Sequence, residues 1–315
     1  MASIVYVTDR QMLEFHRLSG NRTMNFWRPG ASRNIADFEK GDLVFFMVKG
    51  TERGRSKEKG LMGYGRFLSY SVSTVSHMWK KWKQLNGYAD EQSFREAVIK
   101  LTKDKKLPAR ISGLQLENCT YFQSPVYLSE IGIRVSNSLE SYFYPDKYEQ
   151  DATQKILDMA NRIGEDPWIA MMNREESDSR LFEEDSIRYA VSQCIARYGT
   201  LYEEKDARKA ARMCARLMEE IHRQSGQAEE VKGSRQYVLS LQTNRVELFV
   251  PFVSSAKDEN RRFQLFVGHV AVLKEEIQKK IPHVAVEVSL VFDDTLEEDK
   301  KNILQALGVS YLFSE

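Results

Sequence analysis

The chain has 315 residues, of which 42% are hydrophobic and 29% charged, and its formal net charge is +1. This length fits two or three compact domains of ordinary globular composition. Its apolar runs, such as residues 43–48, are too short to span a bilayer, so no membrane segment is predicted. The N-terminus leads directly into a strand pattern and lacks the regions of a secretory signal, which predicts a cytoplasmic protein.

The small net charge conceals two halves of opposite sign. Residues 1–150 contain 23 Lys and Arg against 16 Asp and Glu, a net charge of +7. The remainder contains 23 against 29, a net charge of −6. A basic half of this kind favours an anionic partner, such as nucleic acid.

The first part of the chain has the pattern of a β-rich domain. Strands are predicted at residues 4–8, 43–48, 61–70, 111–121 and 126–128, and helices at 9–18, 74–85 and 90–101. Eleven of the 17 glycines precede Gln150, as is typical of barrels and curled sheets that need tight bends. Residues 1–147 are therefore predicted to form one β-barrel-type domain with flanking helices.

The pattern then changes to long amphipathic helices with almost no glycine. In the last of them, apolar residues between positions 207 and 221 recur at three- and four-residue steps. Residues 148–234 are predicted to form a helical connector. Residues 235–315 are predicted to form a small mixed α/β domain for interaction or dimerisation, with strands at 236–241, 246–253, 284–292 and 309–313 and a helix at 296–307.

Several motifs of the basic half favour a base-binding pocket. A nucleobase offers a flat π-face and a polar edge, so its pocket needs aromatic plates, an Arg or Asn to contact the edge, and glycines for close approach. Trp27 is followed by Arg-Pro-Gly and is expected in a loop. Trp79 and Trp82, three residues apart on a helix, also fit a buried stripe. The candidate pocket residues are Asn25, Phe26, Trp27, Arg28, Tyr64, Trp79, Trp82 and Asn86.

A cationic, glycine-containing loop at residues 49–59 separates two predicted strands. Such a loop suits contacts to phosphates, which give a salt-dependent affinity, although charge runs are often only solvated. The predicted contacts to a nucleic-acid backbone are Arg53, Arg55, Lys57, Lys59, Lys80, Lys81 and Lys83.

The order of these motifs resembles the PUA-like superfamily. The residues that carry the resemblance are Asn-Phe-Trp-x-Pro from position 25, Gly-Asp-x-Val-Phe-Phe from 41, Gly-x-Gly-x-Phe from 63, and a Trp-bearing helix followed by Asn-Gly. It is strongest to the EVE-type domains found N-terminal to HNH nucleases in modification-dependent restriction endonucleases, and it covers about residues 4–133. The resemblance implies a bent β-barrel whose concave aromatic pocket accepts a flipped, often modified, base. The overall fold class is then α+β, with the helical segment and the small α/β domain following the barrel.

No catalytic constellation is recognised in the remainder. An HNH site needs suitably spaced histidines, and a metal-dependent nuclease needs an acidic residue followed by Glu-x-Lys on the next strand. The chain has neither pattern, and no metal or cofactor is predicted. Its three cysteines lie far apart in apolar patterns, which predicts buried, reduced thiols. The acids on or just after the C-terminal strands are Glu247, Glu287, Asp293 and Asp294.

The sequence thus predicts a reader of a flipped, modified DNA base that serves as the specificity part of a restriction or phage-defence system. A homodimer, or a nuclease or helicase partner, is predicted to use the C-terminal half. Two alternatives stay open. One is a metal-dependent nuclease for modified DNA with a cryptic catalytic domain in the C-terminal half, and the other is a PUA-like RNA-binding protein.

Overall fold

A computed structural model describes residues 1–30, 35, 38–136, 138–173, 180–224, 226–253, 259–293 and 295–314. The chain divides into two compact units, Ala2–Glu183 and Glu184–Glu315, and Met1 is assigned to the second. This boundary falls inside segment 148–234, so the helices predicted as one connector are shared between the units. Among the described residues, no helix is both long and apolar enough to cross a membrane.

The first unit alternates strands with short helices. Its strands are β1 (Ser3–Thr8), β2 (Met24–Pro29), β3 (Leu43–Arg53), β4 (Glu58–Ser73), β5 (Ile111–Val126) and β6 (Tyr142–Phe143). Its helices are α1 (Arg10–Leu18), α2 (Val75–Trp82), α3 (Glu91–Leu101), α4 (Ala152–Ile163) and α5 (Pro167–Met172). The expectation that Trp27 lies in a loop is wrong, because β2 pairs with β5 and sets Trp27 opposite Gly113.

The six strands form one mixed sheet in the order β2-β5-β4-β3-β1-β6. Strands β1 and β3 are parallel, and the other neighbours are antiparallel. The predicted barrel is not closed among the described residues, because β2 and β6 remain as two edges. Closure requires the edge strands to pair along their length, and β6 has only two residues.

This open sheet is nevertheless strongly curled, and we call it the half-barrel. The ring centroids of Tyr6 on β1 and Phe26 on β2 lie 4.9 Å apart, although three strands separate β1 from β2 in the sheet. Register shifts between β4 and β5 occur around Gly63 and bend the strands there. A Cβ at Gly63 would lie 2.3 Å from the carbonyl oxygen of Thr120. The close approach of the two strands therefore requires glycine at this position.

The second unit is a five-stranded mixed sheet with helices. Its elements are α6 (Leu181–Tyr198, of which the first residues fall before the boundary), α7 (Glu204–Arg223), β7 (Glu229–Glu230), β8 (Val238–Gln242), β9 (Arg245–Pro251), α8 (Glu259–Lys280), β10 (Ala285–Phe292), α9 (Glu298–Ala306) and β11 (Ser310–Phe313). The strand order is β11-β10-β9-β8-β7, with β9, β10 and β11 parallel. Each strand and the last helix predicted here are confirmed to within two residues at either end.

The three cysteines, Cys119, Cys194 and Cys214, are buried and free, as predicted. Burial raises the pKa of the Cys214 thiol to about 12. This thiol is therefore protonated at neutral pH and packs as a small apolar side chain.

Candidate nucleic-acid-binding site

An open groove of about 760 Å³ lies on the first unit. Helix α2 and the turn after it contribute Trp79, Lys80, Trp82 and Lys83 to its lining, and the segment after α1 contributes Ser19 and Asn21. We call it the tryptophan–lysine groove. It brings together two of the predicted pocket aromatics and two of the predicted phosphate contacts.

Helix α2 positions the two tryptophans. Its N-cap is Thr74, whose side-chain oxygen accepts a hydrogen bond from the backbone N–H of His77 at 3.2 Å. Residues three apart share one face of a helix, so Trp79 and Trp82 lie side by side, and both are half-buried. Trp79 also packs on Phe94 of α3, with ring centroids 5.8 Å apart. One side of the pair thus belongs to the core, as the buried-stripe interpretation expects, and the other lines the groove, where a role in binding a base stays a prediction.

The cations beside the tryptophans are free to meet a ligand. Lys80, Lys81 and Lys83 are exposed, and none of them forms an ion pair with any residue that the structure describes. The Lys81 Nζ lies 4.9 Å from the ring centroid of Trp82. The acidic residue of the lining, Glu91, pairs with Arg95 at 3.0 Å. The positive charge of the groove is therefore left uncompensated.

Three other predicted pocket residues form a buried polar network behind α2. The Asn25 Nδ2 donates to the Asn86 Oδ1 at 2.7 Å, and the Trp27 Nε1 donates to the Asn86 carbonyl oxygen at 3.0 Å. The Asn86 Nδ2 in turn donates to the carbonyl oxygen of Lys83 at 2.8 Å. The polar groups of these side chains bind one another, and the network ties β2 to the turn that carries Lys83.

The space for this network depends on Gly113 of β5. A Cβ at that position would lie 2.2 Å from the Asn25 Oδ1. Real Cβ atoms do not approach an oxygen so closely, so any larger residue must displace the Asn25 amide. Gly113 therefore has a packing role, because its missing side chain leaves space for the Asn25 amide on the neighbouring strand.

The predicted pocket residues of strand β2 lie on two opposite faces of the strand. Side chains alternate along a strand, so Phe26 and Arg28 point away from the face that carries Asn25 and Trp27. Phe26 packs on Tyr6 inside the half-barrel, and the Arg28 guanidinium lies 5.7 Å from the Tyr6 ring centroid. One pocket cannot collect side chains from both faces of the same strand, so the predicted set does not form one site.

Tyr64 lies in a third place. It is buried, with its ring centroid 5.5 Å from that of Phe45, 6.2 Å from Phe122 and 6.0 Å from Phe182. The neighbouring strand residue, Phe46, points the other way and stacks on Phe26. Tyr64 thus packs on the opposite face of the sheet from Phe26, and it does not line the tryptophan–lysine groove.

The basic loop forms the hairpin between β3 and β4, and half of its predicted contacts are used internally. Arg53 pairs with Glu130 at 2.6 Å. Lys59 is buried, and its Nζ donates to the carbonyl oxygen of Leu139 at 3.4 Å. The predicted contacts of the hairpin that are exposed, with no ion pair among the described residues, are Arg55 and Lys57.

The chain is similar to the crystal structure of ASCH from Zymomonas mobilis, with 14% identity over 50% of this chain and 95% of that chain and a TM-score of 0.36. Two point mutants of the same protein give 14% and 11% identity, with TM-scores of 0.37 and 0.36, over 50% of this chain and 99% and 96% of theirs. No family model and no curated protein matches the chain.

These neighbours assign neither a superfamily nor the EVE-type domain with its HNH architecture to this chain. At this identity and these TM-scores they decide nothing about a ligand. The function is therefore proposed below from the side chains of this chain.

Sequence reasoning missed the polar side of the groove. Ser19 and Asn21 follow the end of α1, where a Ser-Gly-Asn run predicts a helix end and nothing more. Next to them, His16 is fully buried, and its Nδ1 lies 3.1 Å from the Asn21 Nδ2. Only the packing of α1 near α2 brings these residues to the groove.

A pH dependence follows from His16. Burial lowers the pKa of this imidazole from 6.5 to about 4. As pH falls, the unfolded chain therefore binds this proton at a higher pH than the folded chain does. The contribution of the neutral ring to the free energy of unfolding is complete above pH 6.5 and is lost progressively towards pH 4. Urea unfolding of the first unit, followed by tryptophan fluorescence between pH 7.5 and 4.5, should show this loss. In His16→Gln the loss over that window should be smaller, and parallel curves for the two proteins would contradict the assignment.

Three of the four acids singled out near the C-terminal strands form ion pairs. Glu247 on β9 and Glu287 on β10 both contact Arg245, the first at 2.7 Å. Asp293 pairs with Lys209 at 2.8 Å, and Asp294 lies outside the described residues. No group of three or more His, Cys, Asp or Glu able to hold a metal ion is found among the residues described.

Proposed function

We propose that the first unit binds unpaired nucleic acid in the tryptophan–lysine groove, with bases stacked on Trp79 and Trp82 and phosphates held by Lys80 and Lys83. The observation that carries this proposal is the shared lining. Two half-buried indoles and two unpaired lysines face one open cavity of about 760 Å³. This combination of π-surfaces with a cationic wall is typical of single-strand binding sites.

Base stacking on the two tryptophans favours the binding of a single strand over that of an intact duplex. Stacking contributes about 1–3 kcal/mol per base and requires an unstacked π-face, which a duplex hides. The lysines add a Coulombic attraction that does not depend on sequence and weakens with salt. Lys81, on the same helix, is a further exposed cation beside the groove. The exposed hairpin residues Arg55 and Lys57 stay predicted backbone contacts.

A flipped, modified base in duplex DNA is the narrower form of the same proposal. It is supported by the Trp82 Nε1, which is shielded from solvent and has no hydrogen-bond partner among the described residues. An extruded base that meets the edge of this indole in its plane would offer an acceptor to that donor, at the cost of unpairing. The roles in restriction and phage defence, and a homodimer or a nuclease or helicase partner for the second unit, remain predictions.

The test is a binding series with the full chain. Fluorescently labelled oligonucleotides of equal length would be compared by anisotropy: single-stranded RNA, single-stranded DNA, unmodified duplex, and duplex with methylated or hydroxymethylated bases. We expect the single strands to bind more tightly than the unmodified duplex and to lose affinity steeply with salt. Preference for a modified duplex over every single strand would instead favour the flipped-base form. The proposal fails if no oligonucleotide binds at low salt.

A further inference from the structure

Arg28 is a buried cation that forms no ion pair with any residue the structure describes. The side chain is 9% exposed, and its Nε and Nη2 are shielded from solvent with no hydrogen-bond partner among the described residues. Its one described contact is with the ring of Tyr6, 5.7 Å from the guanidinium carbon. Burying an unpaired charge is costly, so folded proteins rarely keep one unless it serves a further purpose.

The unpaired atoms define the shape of the missing partner. The N–H groups of Nε and Nη2 lie on the same edge of the guanidinium and point in parallel directions. This edge is the fork that pairs side-on with two oxygens of a phosphate or carboxylate. A neutral partner would fill the hydrogen bonds and leave the charge uncompensated, so the burial favours an anion.

The surroundings of Arg28 are aromatic. Tyr6 stacks on Tyr142 of β6 with centroids 5.7 Å apart and an interplanar angle of 21°, and Tyr142 meets Tyr144 edge-on at 6.0 Å. All three tyrosines are half-buried, so each keeps an exposed part. They lie at the side of the half-barrel where β2 approaches β1 and β6. A flat ring attached to an anion would meet π-surfaces next to the guanidinium fork.

We propose that Arg28 holds the terminal phosphate of a nucleotide, with the tyrosines Tyr6 and Tyr142 beside its sugar and base. A terminal phosphate carries close to two negative charges and enters end-on. An internal phosphodiester has a chain of nucleotides on both sides. It would therefore need an open channel past the Nε and Nη2 edge of Arg28, which is shielded from solvent. The chemistry is shared by a free nucleotide and by the phosphorylated end of a strand.

This site is separate from the tryptophan–lysine groove. Arg28 and Phe26 occupy one face of β2, while Trp27 and Asn25 occupy the other and support the turn that carries Lys83. The phosphate site therefore does not rest on the proposed function of the groove, and variants of each can be tested independently.

The experiment measures the thermal midpoint of the full chain with inorganic phosphate, nucleosides, nucleoside 5′-monophosphates, and oligonucleotides with and without a 5′-phosphate. We expect monophosphates to raise the midpoint more than phosphate alone, and nucleosides to leave it unchanged. Arg28→Met should abolish the monophosphate shift, and any additional shift that a 5′-phosphate gives an oligonucleotide, while leaving the unliganded midpoint unchanged or higher, because an uncompensated charge is removed. Arg28→Lys should retain part of the monophosphate shift, and Trp82→Ala should retain all of it.

Two results would overturn the proposal. The first is a wild-type midpoint that monophosphates do not move and that a 5′-phosphate on the oligonucleotide does not raise further; if the unliganded midpoint of both Arg28 variants also drops sharply, Arg28 is a structural residue. The second is an equal monophosphate shift in Arg28→Met, which would place the phosphate elsewhere. A shift from 5′-phosphorylated strands and not from monophosphates would assign the site to strand ends.

Discussion

Replacing Trp82 by alanine is expected to weaken the binding of single-stranded oligonucleotides by about 10- to 100-fold. The change removes one stacking surface of the tryptophan–lysine groove, and stacking contributes about 1–3 kcal/mol per base. Anisotropy titrations of the full chain with a labelled strand at fixed salt measure this loss.

The double variant Lys80→Gln with Lys83→Gln should reduce the slope of log affinity against log salt concentration by about 1.4, because each lost phosphate contact contributes about 0.7 to that slope for a single strand.

Matched controls separate a groove effect from a general one. Tyr148→Ala removes an aromatic ring of the same unit that is 66% exposed and does not line the groove. Arg216→Gln with Arg223→Gln removes two exposed cations of α7 in the second unit. Both should bind like the wild type. If Tyr148→Ala loses as much affinity as Trp82→Ala, or if the α7 variant flattens the salt plot equally, the groove is not the binding site.

Asn86→Leu is expected to lower the free energy of unfolding of the first unit by about 2–6 kcal/mol. The substitution removes the acceptor of the Asn25 amide and the donor to the Lys83 carbonyl, and each buried polar group left unpaired costs about 1–3 kcal/mol. All four tryptophans of the chain lie in Ala2–Glu183, so urea unfolding followed by their fluorescence reports on this unit alone.

Asn161→Leu is the control for that prediction. Asn161 is exposed on α4, and a surface change of this kind should stay within about 0.5 kcal/mol of the wild type. Equal stabilities of Asn86→Leu and the wild type would show that the buried network contributes nothing. A folded Asn86→Leu protein with weakened strand binding would show that the network also positions Lys83 for the groove.

The two predictions assign different tasks to residues that the sequence grouped as one pocket. Trp79 and Trp82 keep one side open to a ligand, whereas Asn25, Trp27 and Asn86 form hydrogen bonds with one another in the buried network. Residue type alone cannot separate these cases. An amide that contacts a base edge and an amide that bridges two strands have the same chemistry, and only the identity of the partner distinguishes them.

The sequence was most informative where local patterns are decisive. In the second unit, strands β8, β9, β10 and β11 and helix α9 are regular elements bounded by turns, and their periodicity predicted them to within two residues. The split of charge between the halves, the buried free cysteines and the helix that carries Trp79 and Trp82 were likewise determined by the sequence. These features depend on side-chain period and composition, which a single chain displays directly.

The tertiary structure decided the rest. Strand β2 looked like a loop because Arg-Pro-Gly follows Trp27, and only its pairing with β5 makes it a strand. The alternation of its side chains then separates Arg28 from Trp27, while the curl of the sheet brings Arg28 to Tyr6, 22 residues earlier in the chain. The groove arises in the same way, from the packing of α2 near the end of α1. Each of these sites joins segments that are distant along the chain, and a sequence pattern does not show which segments pack together in the folded protein.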